Sequence, residues 1–255
     1  HVKVDTGMGR LGLRPEEAEA HVAAVDRSPH TDLEGVWTHF ANADAADAAE
    51  PGSGTSHQLA AFEGLLDRLA RAGLRPRWVH AANSAATMTR PDAHFDWVRP
   101  GIALYGQPPS AALVERAAGL RPALRLDAPV TFVKRVSAGT TISYGGTWRA
   151  ISPTVIATVR LGYADGYPRA LSSLGLAGHR GRRVPVVGRV CMDQVMVDLG
   201  PGGDAEVGER VDFVGGDAPT ATEVADRAGS FAYELLTGIG ARVVRRYEPN
   251  IDARP

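Results

Sequence analysis

Polar and charged side chains follow the predicted strands of residues 1–106, at the strand ends where parallel α/β folds carry their chemistry. They are Lys3, Asp5, Arg10, His39, Asn83, Ser84 and Arg99. The basic side chains can bind an anion, the histidine can exchange protons near neutral pH, and the hydroxyl and amide can help to hold a phosphate group. Together these residue types indicate a site for a small anionic ligand.

Each of these segments also has an ordinary structural interpretation. The glycine-rich DTGMGR, residues 5–10, could aim Arg10 at an anion or could be only a turn. Lys3 could be buried with a partner or lie at an exposed strand end. His39 could be a hydrogen-bonded core histidine, and Asn83 could simply cap the helix that follows it. From the residues alone, these alternatives stay open.

A rigid turn follows Arg99 in RPGIALYG, residues 99–106. Because proline fixes its own backbone angle, this turn would leave the amides of Gly101 and Ile102 free to bind phosphate. The alternative is an arginine that happens to precede a proline and has no such role.

The second half of the chain carries further candidates in short β-rich segments. In ISYGGTW, residues 142–148, Tyr144 can act as an acid or base only if a neighbour shifts its pKa from about 10, and surface packing is the alternative. Cys191 has no histidine near it in the sequence, so we expect it to be buried in a strand and inert. Two segments, GYADGYPR and GRVCMDQ, add the candidates Tyr163, Asp165, Arg169, Arg189, Met192 and Asp193.

The elements that must position these residues differ between the two halves. Before about residue 106, strands such as HVKVDT, EGVWTHFA and RWVHAAN alternate with helices predicted at residues 15–26 and 55–72, a pattern typical of a parallel α/β sheet. Four such units amount to half of an eight-stranded TIM-type barrel. We therefore expect the C-terminal part of a (β/α)8 barrel and further sequence upstream of His1.

From about residue 107 onwards, short β runs broken by Gly and Pro predict a mostly antiparallel β domain. The change of pattern places the boundary between residues 107 and 120, which gives domains at 1–110 and 111–255. A late helix over residues 221–240 and a short strand over 241–247 are predicted in the second domain.

Composition restricts the kinds of partner. The chain has 28 Lys and Arg against 29 Asp and Glu, so no basic surface of the kind that binds nucleic acid or an anionic membrane is indicated. A single cysteine excludes an internal disulfide, and no apolar run reaches the length of a membrane span. We expect a cytoplasmic protein that binds small molecules or other protein chains, with no metal site.

Seven segments, in the order in which they occur, resemble the successive signatures of the alanine racemase family: KVDTGMGRLG, THFANAD, ANSAA, RPGIALYG, ISYGGTW, LGYADGYPR and GRVCMDQ. The resemblance runs from residue 1 to about residue 247. It implies an isomerase that interconverts L-alanine and D-alanine with pyridoxal 5'-phosphate and supplies D-alanine for peptidoglycan. It also implies a homodimer with composite active sites.

The resemblance gives roles to the strand-end residues. Arg99 would donate to the pyridine nitrogen of the cofactor and keep it unprotonated, which limits side reactions. Lys3 matches a carbamylated lysine whose negative charge orients Arg10 towards the substrate carboxylate and the cofactor. His39 would stand beside Arg99 and Tyr144 in a hydrogen-bond network. The remaining cofactor contacts, mostly to the phosphate, would come from Asn83, Ser84, Gly101 and Ile102.

Racemisation needs one group that removes a proton from one face of the substrate and another that returns a proton to the other face. By the resemblance, one is Tyr144, supplied to the partner subunit, and the other is the lysine that forms a Schiff base with the cofactor. Met192 would donate its backbone amide to the substrate carboxylate across the same interface. Positions that match the family's substrate access channel are Asp44, Tyr163, Arg169, Arg189 and Asp193.

Two departures from the family pattern bear on activity. The Schiff-base lysine belongs to a motif upstream of His1, and this chain has only Lys3 and Lys134, the latter expected on the surface after the first strand of the β domain. We therefore expect a fragment that is inactive alone. Near the C-terminus, Ala241 stands where some members have a tyrosine that closes the pocket, so the pocket mouth would be wider.

Two alternative functions stay open at this point. One is another enzyme on the same scaffold, either a racemase of broader specificity or a related decarboxylase, although the segments around Tyr144 and Met192 favour a racemase. The other is a truncated paralogue that binds the cofactor without catalysing a reaction.

Overall fold

The computed structural model describes residues 1–248, and the chain divides into two compact units. The first unit is His1–Ala123 and the second begins at Leu124. The domain boundary expected from the sequence, after residue 110, falls earlier in the chain. Residues 111–123 are therefore grouped with the first unit.

The first unit is a four-stranded parallel sheet with helices between its strands. Its strands lie side by side in chain order, β1-β2-β3-β4, and each pair of neighbours is parallel. This arrangement confirms the predicted parallel α/β sheet. The elements are β1 (Val2–Lys3), α1 (Pro15–Arg27), β2 (Gly35–Trp37), α2 (Gly54–Arg71), β3 (Trp78–Asn83), α3 (Ser84–Thr89) and β4 (Trp97–Arg99).

Both longer helices begin and end as their sequences predict. Helix α1 has Pro15 in its first turn, where a missing amide hydrogen costs nothing. Helix α2 is capped by Ser53, whose side chain accepts a hydrogen bond from the amide of Ser56. It buries Leu59, Phe62, Leu65 and Leu69, a spacing of three or four residues that directs one stripe into the core. Among the described residues, no helix is long and apolar enough to cross a membrane.

The second unit is built on antiparallel strands. Its six-stranded sheet has the order β10-β9-β12-β5-β8-β11, and a separate hairpin pairs β6 with β7. The predicted antiparallel β domain is confirmed. Its strands are β5 (Leu126–Val136), β6 (Thr141–Ile142), β7 (Trp148–Arg149), β8 (Thr154–Val159), β9 (Leu176–His179), β10 (Arg182–Pro185), β11 (Val195–Gly200) and β12 (Arg210–Val214).

Three local predictions in this unit are wrong. The single late helix is two short helices, α4 (Ala221–Arg227) and α5 (Ala232–Gly238), because Gly229 between them takes a left-handed conformation with φ of 69°. No strand is present in residues 241–247; there Arg245 instead donates to the carbonyl oxygen of Ile239. Lys134 lies within β5 rather than after it.

Candidate active site

Four side chains form a row across the parallel sheet. Lys3, Trp37, His80 and Trp97 lie opposite one another in register on β1 to β4. The Lys3 Nζ is 5.4 Å from the centre of the Trp37 ring, and the His80 ring centre lies 5.7 Å from that of Trp37 and 5.8 Å from that of Trp97. Because side chains of a strand alternate between faces, residues two positions further along point to the same side. Arg99 lies two positions after Trp97 on β4 and therefore points to the same side as this row.

The guanidinium of Arg99 is held by four acceptors, two within β3 and two just after β2. One terminal nitrogen donates to His80 Nδ1 at 2.6 Å. The other donates to the carbonyl oxygens of Thr38 and Ala81, each at 2.9 Å, and to His39 Nδ1 at 3.1 Å. Burial lowers the pKa of Arg99 to about 10, so the group is still charged at neutral pH. The structure thus brings Arg99 and His39 together and fixes the direction of the guanidinium.

Arg99 also determines the protonation of the two histidines. A guanidinium has only donors, so the Nδ1 atoms of His39 and His80 must accept, and each neutral ring carries its proton on Nε2. His80 Nε2 then donates to His1 Nδ1 at 3.1 Å. Burial and, next, the charge of Arg99 lower the pKa of both His39 and His80 to about 4. Both rings are therefore neutral at physiological pH.

These shifts predict a dependence of stability on pH. The pKa of His80 is about 4 in the fold against 6.5 for a free histidine, so the unfolded chain binds more protons between these values. We expect the protein to lose stability as the pH falls from about 6.5 towards 4. His80→Asn keeps an acceptor for Arg99 but does not titrate, and its melting temperature should fall less over this range. Thermal unfolding at several pH values checks this.

The control is His57→Asn, which replaces an exposed histidine on α2. Equal loss of melting temperature on acidification in the wild type and in His80→Asn would contradict the interpretation of His80 as a buried neutral base.

Lys3 is buried, with 7% of its surface exposed, and its ammonium donates to the carbonyl oxygen of Leu11. Its pKa is lowered, mainly by burial, although the nearby charge of Asp5 acts in the opposite direction. The sequence left open whether Lys3 is buried or lies at an exposed strand end, and in the structure it is buried. A buried amine with a lowered pKa is uncharged more often than a surface lysine and is correspondingly more nucleophilic.

The loop after β1 is shaped by Asp5. Its Oδ1 atom accepts hydrogen bonds from the amides of Gly7 and Gly9, both at 3.0 Å, and these bonds lower the pKa of the carboxyl group. Gly9 has φ of 68°, which favours glycine there. Arg10 follows this turn on the exposed surface of the loop.

Ser84 links the start of α3 to the turn after Arg99. Its hydroxyl oxygen accepts from the amide of Gly101 at 2.7 Å and from that of Ala103 at 3.3 Å. Asn83 accepts from the amide of Ala86 and caps α3, as the ordinary interpretation expected. Ile102 is buried beside this turn. Ser84, Gly101 and Ile102 therefore lie close together, but the amide of Gly101 already donates to Ser84, so the expectation that this amide is free to bind phosphate is wrong.

Tyr144 lies in the second unit, in a tight turn between β6 and β7. It is 71% exposed. The preceding Ser143 has φ of 66°, and its hydroxyl donates to the carbonyl oxygen of Arg189 at 2.8 Å. The hydroxyl oxygen of Ser143 is also 3.7 Å from the sulfur of Cys191. The turn that carries Tyr144 is thus attached to the segment that carries Arg189, Cys191 and Met192.

A second loop, residues 162–167, supports the same segment. The amide of Tyr163 donates to the carbonyl oxygen of Cys191 at 3.1 Å, and that of Ala164 donates to the carbonyl oxygen of Met192 at 2.9 Å. Within this loop the buried carboxylate of Asp165 accepts from the amide of Gly162 at 2.9 Å and pairs with Arg242 at 2.8 Å. The backbone at Met192 is therefore held by hydrogen bonds to the carbonyl oxygens of Cys191 and Met192.

The remaining predicted residues are half-buried or exposed. Cys191 is half-buried and lies in the loop before β11, so its predicted burial within a strand is wrong on both counts. Ser110 donates to the carbonyl oxygen of Asp44 at 2.6 Å. Five side chains proposed for the access channel are exposed: Asp44, Tyr163, Arg169, Arg189 and Asp193.

The comparison with known proteins settles the family. Residues 1–109 match the sequence model "Alanine racemase, N-terminal domain", and residues 123–247 match "Alanine racemase, C-terminal domain". The chain belongs to the alanine racemase family. This membership confirms the predicted fold class of an α/β barrel part followed by an antiparallel β domain.

Individual alanine racemases align with nearly all of the chain. The enzyme from Desulforamulus reducens is 46% identical over 97% of this chain and 66% of its own length, and that from Symbiobacterium thermophilum is 47% identical over 97% and 65%. The crystal structure of the alanine racemase from Streptomyces lavendulae has a TM-score of 0.88 and 42% identity, covering 98% of this chain and 66% of that one. The chain thus spans about two thirds of the length of these alanine racemases.

Two polar residues of this alanine racemase family member were missed by the sequence reasoning. His80 donates to His1 and accepts from Arg99, and Gln58 contacts the backbone of His39. The available signal for His80 was a polar side chain between the apolar residues Val79 and Ala81 in β3. For Gln58 it was an uncharged polar residue on the buried stripe of α2.

Proposed function

We propose that this chain is part of an enzyme that interconverts L-alanine and D-alanine with pyridoxal 5'-phosphate as cofactor. The remaining third of the family's length would be needed for the activity. The observation that carries the proposal is the guanidinium of Arg99 at the end of β4, held by two neutral histidines and two carbonyl oxygens of the same parallel sheet. The alanine racemases of 46% and 47% identity support the choice of alanine.

The residues present fit this cofactor. Among the described contacts, Ser84 Oγ only accepts, from the amides of Gly101 and Ala103, so its hydroxyl hydrogen is available for a phosphate oxygen. Arg10 adds a cationic group nearby, since its charge contributes to the pKa shifts of Lys3 and His39. We assign the phosphate to the hydroxyl of Ser84 and the amide of Ile102, with Gly101 ordering the turn through its bond to Ser84 and Asn83 ordering the helix start.

When bound, the cofactor withdraws electrons from the Cα of the amino acid and makes its hydrogen acidic. Arg99 would donate a hydrogen bond to the pyridine nitrogen and retain its own proton, because its pKa of about 10 is well above neutral. His39 and His80 hold the guanidinium in place without adding charge. The two histidines therefore position Arg99 rather than exchange protons at neutral pH.

Lys3 is proposed to be carbamylated and to orient Arg10. Its lowered pKa increases the fraction of uncharged amine, which can attack carbon dioxide; an N–C bond forms and one proton is lost to solvent. The resulting anion offsets the cations around it and would direct Arg10 to the substrate carboxylate.

We expect Lys3 to carry this carbamate at neutral or higher pH. Protein incubated with isotopically labelled bicarbonate should show one lysine carbamate signal by NMR, distinct from any carbamate on the α-amino group, because only one of its two lysines is buried. Lys3→Arg should remove the signal and Lys134→Arg, at an exposed position of β5, should keep it. A signal that survives Lys3→Arg would contradict the assignment.

Tyr144 and Met192 are proposed to act in the site of a second copy of the chain, which makes the enzyme a homodimer with composite sites. Their support is the high exposure of both, 71% and 58%, on segments fixed to each other by Ser143. Tyr144 would exchange a proton on one face of the substrate, and the backbone amide of Met192 would bind the substrate carboxylate. The predicted cytoplasmic location is part of the same proposal.

The test is the formation of D-alanine from L-alanine with added pyridoxal phosphate, using the 255-residue chain beside one extended upstream. We expect activity only in the extended chain, because Lys134 is exposed on β5 and Lys3 has the carbamate role. Activity in both would refute this account of the lysines. Activity in neither, with turnover of serine or lysine by the extended chain, would replace alanine by a broader range of substrates.

A further inference from the structure

Gln58 is a buried amide on α2 that uses all of its polar atoms on two loops of the candidate site. It is 6% exposed. Its Oε1 accepts from the amide of Ala41 at 2.8 Å. Its Nε2 donates to the carbonyl oxygen of His39 at 3.1 Å and to the hydroxyl of Thr6 at 3.3 Å. One side chain thus connects the loop after β1 with the segment after β2.

The hydrogen bonds that begin at Gln58 Nε2 form a series in which each group donates to the next, through Thr6 and Thr38 to the carbonyl oxygen of Val4. Thr38 donates its hydroxyl hydrogen to the carbonyl oxygen of Val4 at 2.9 Å, so its oxygen accepts from Thr6 at 2.7 Å. The oxygen of Thr6 then accepts from Gln58 Nε2. Every hydrogen in this chain of bonds has a defined acceptor. A carboxylate at position 58 could not supply the first donor, so the amide is required.

The loop after β1 also packs directly against this side chain. A methyl group added at Gly7 would lie 3.2 Å from Gln58 Cγ, and Gly7 has φ of 139°. A larger side chain at Gly7 would require the side chain of Gln58 to move, and Arg10 lies three residues further on the same loop. The position of Gln58 therefore affects the loop of Arg10 as well as the backbone of His39.

We propose that Gln58 is a positioning residue that holds His39 and the loop of Arg10 in a fixed relation to Arg99. Its described partners are the protein groups of Ala41, His39 and Thr6, and we assign it no contact with the substrate or the cofactor. Its effect is on His39 through the backbone carbonyl oxygen, and on Arg10 through Thr6. The role in catalysis rests on the proposed racemase function, but the positioning of His39 does not.

The first test is Gln58→Met, which keeps the length of the side chain and removes its hydrogen bonds. Small displacements of positioned groups cost up to about a hundredfold in rate, so we expect kcat/KM for racemisation by the extended protein to fall by about tenfold or more. The matched control is Gln107→Met, a second buried glutamine, 3% exposed, which donates to the carbonyl oxygen of Tyr105. Comparable loss of melting temperature in both, with loss of rate only in Gln58→Met, supports the proposal.

The second readout is the titration of the His39 ring, followed by NMR, which needs no racemase activity. The charged groups that act on His39 are Arg99 on β4, Arg10 on the loop after β1 and Lys3 on β1. Burial is the largest cause of its pKa of about 4. Releasing the carbonyl oxygen of His39 admits water, so Gln58→Met should raise this pKa by about one unit or more, towards 6.5.

Thr6→Val is a second variant, for use if Gln58→Met does not fold. It removes one acceptor of Gln58 with little change of volume, and it should shift the His39 titration in the same direction by a smaller amount. An unchanged His39 pKa and a kcat/KM within about twofold of the Gln107→Met control would overturn the proposal. A shifted His39 pKa without any racemisation by the extended wild type would leave the positioning intact and refute the proposed function instead.

Discussion

Replacing Arg99 with leucine in the extended protein should lower kcat/KM for alanine by about a hundredfold or more, since it removes the proposed donor to the cofactor ring. The change also leaves two carbonyl oxygens and two imidazole nitrogens without their donor. Unpaired buried acceptors cost about 1 to 3 kcal/mol each, so the free energy of unfolding should fall by about 2 kcal/mol or more. Steady-state kinetics and denaturant unfolding measure the two effects.

The control for Arg99 is Arg99→Lys. A lysine keeps the positive charge but cannot reach both histidines and both carbonyl oxygens with a planar fork of donors. We expect Arg99→Lys to recover part of the stability and little of the rate. If Arg99→Leu were as active as the wild type, the assignment of Arg99 to the cofactor would be wrong.

Tyr144→Phe should affect the two directions of the reaction unequally. If the phenol removes a proton from one face only, its loss should slow proton abstraction from one enantiomer by about 10² to 10⁴ and change the other far less. The measurement is incorporation of solvent deuterium at Cα, starting separately from L-alanine and D-alanine. The turn between β6 and β7 places Tyr144 at the surface, so the substitution should not unfold the protein.

Tyr247→Phe is the control for Tyr144, because Tyr247 is 89% exposed and has no proposed role. It should leave exchange from both enantiomers unchanged. An equal and mild loss for both enantiomers in Tyr144→Phe would exclude Tyr144 as a one-sided acid and base.

Local patterns were sufficient for much of the fold. Pro15 and Arg27 mark the two ends of α1, and the apolar stripe from Leu59 to Leu69 identifies the buried face of α2. The parallel sheet followed from strands that alternate with these helices. The placement of Arg99 and His39 at the same edge of the sheet, at the ends of β4 and β2, followed from the same alternation, because parallel strands all end at one edge.

Contacts between distant parts of the chain could not be predicted in this way. His80 meets Arg99 because the register of β3 and β4 pairs His80 with Trp97, and register depends on tertiary packing. Gln58 reaches His39 across two loops, which no periodicity reveals. Cys191 was expected in a strand because its apolar neighbours suggest one, but Ser143 and the loop at residues 162–167 bond its segment in an irregular conformation.

The ion pair between Asp165 and Arg242 limits how many residues can be deleted from the C-terminal side of the chain. Asp165 is buried, and a deletion that removed Arg242 would leave its carboxylate with only the amide of Gly162 among the partners described here. Gly166, with φ of 102°, also packs directly on Gly238 and Ile239, where an added methyl would clash. Deletions should therefore keep the chain through Arg242, since its guanidinium and the backbone at Gly238 and Ile239 support the loop of residues 162–167.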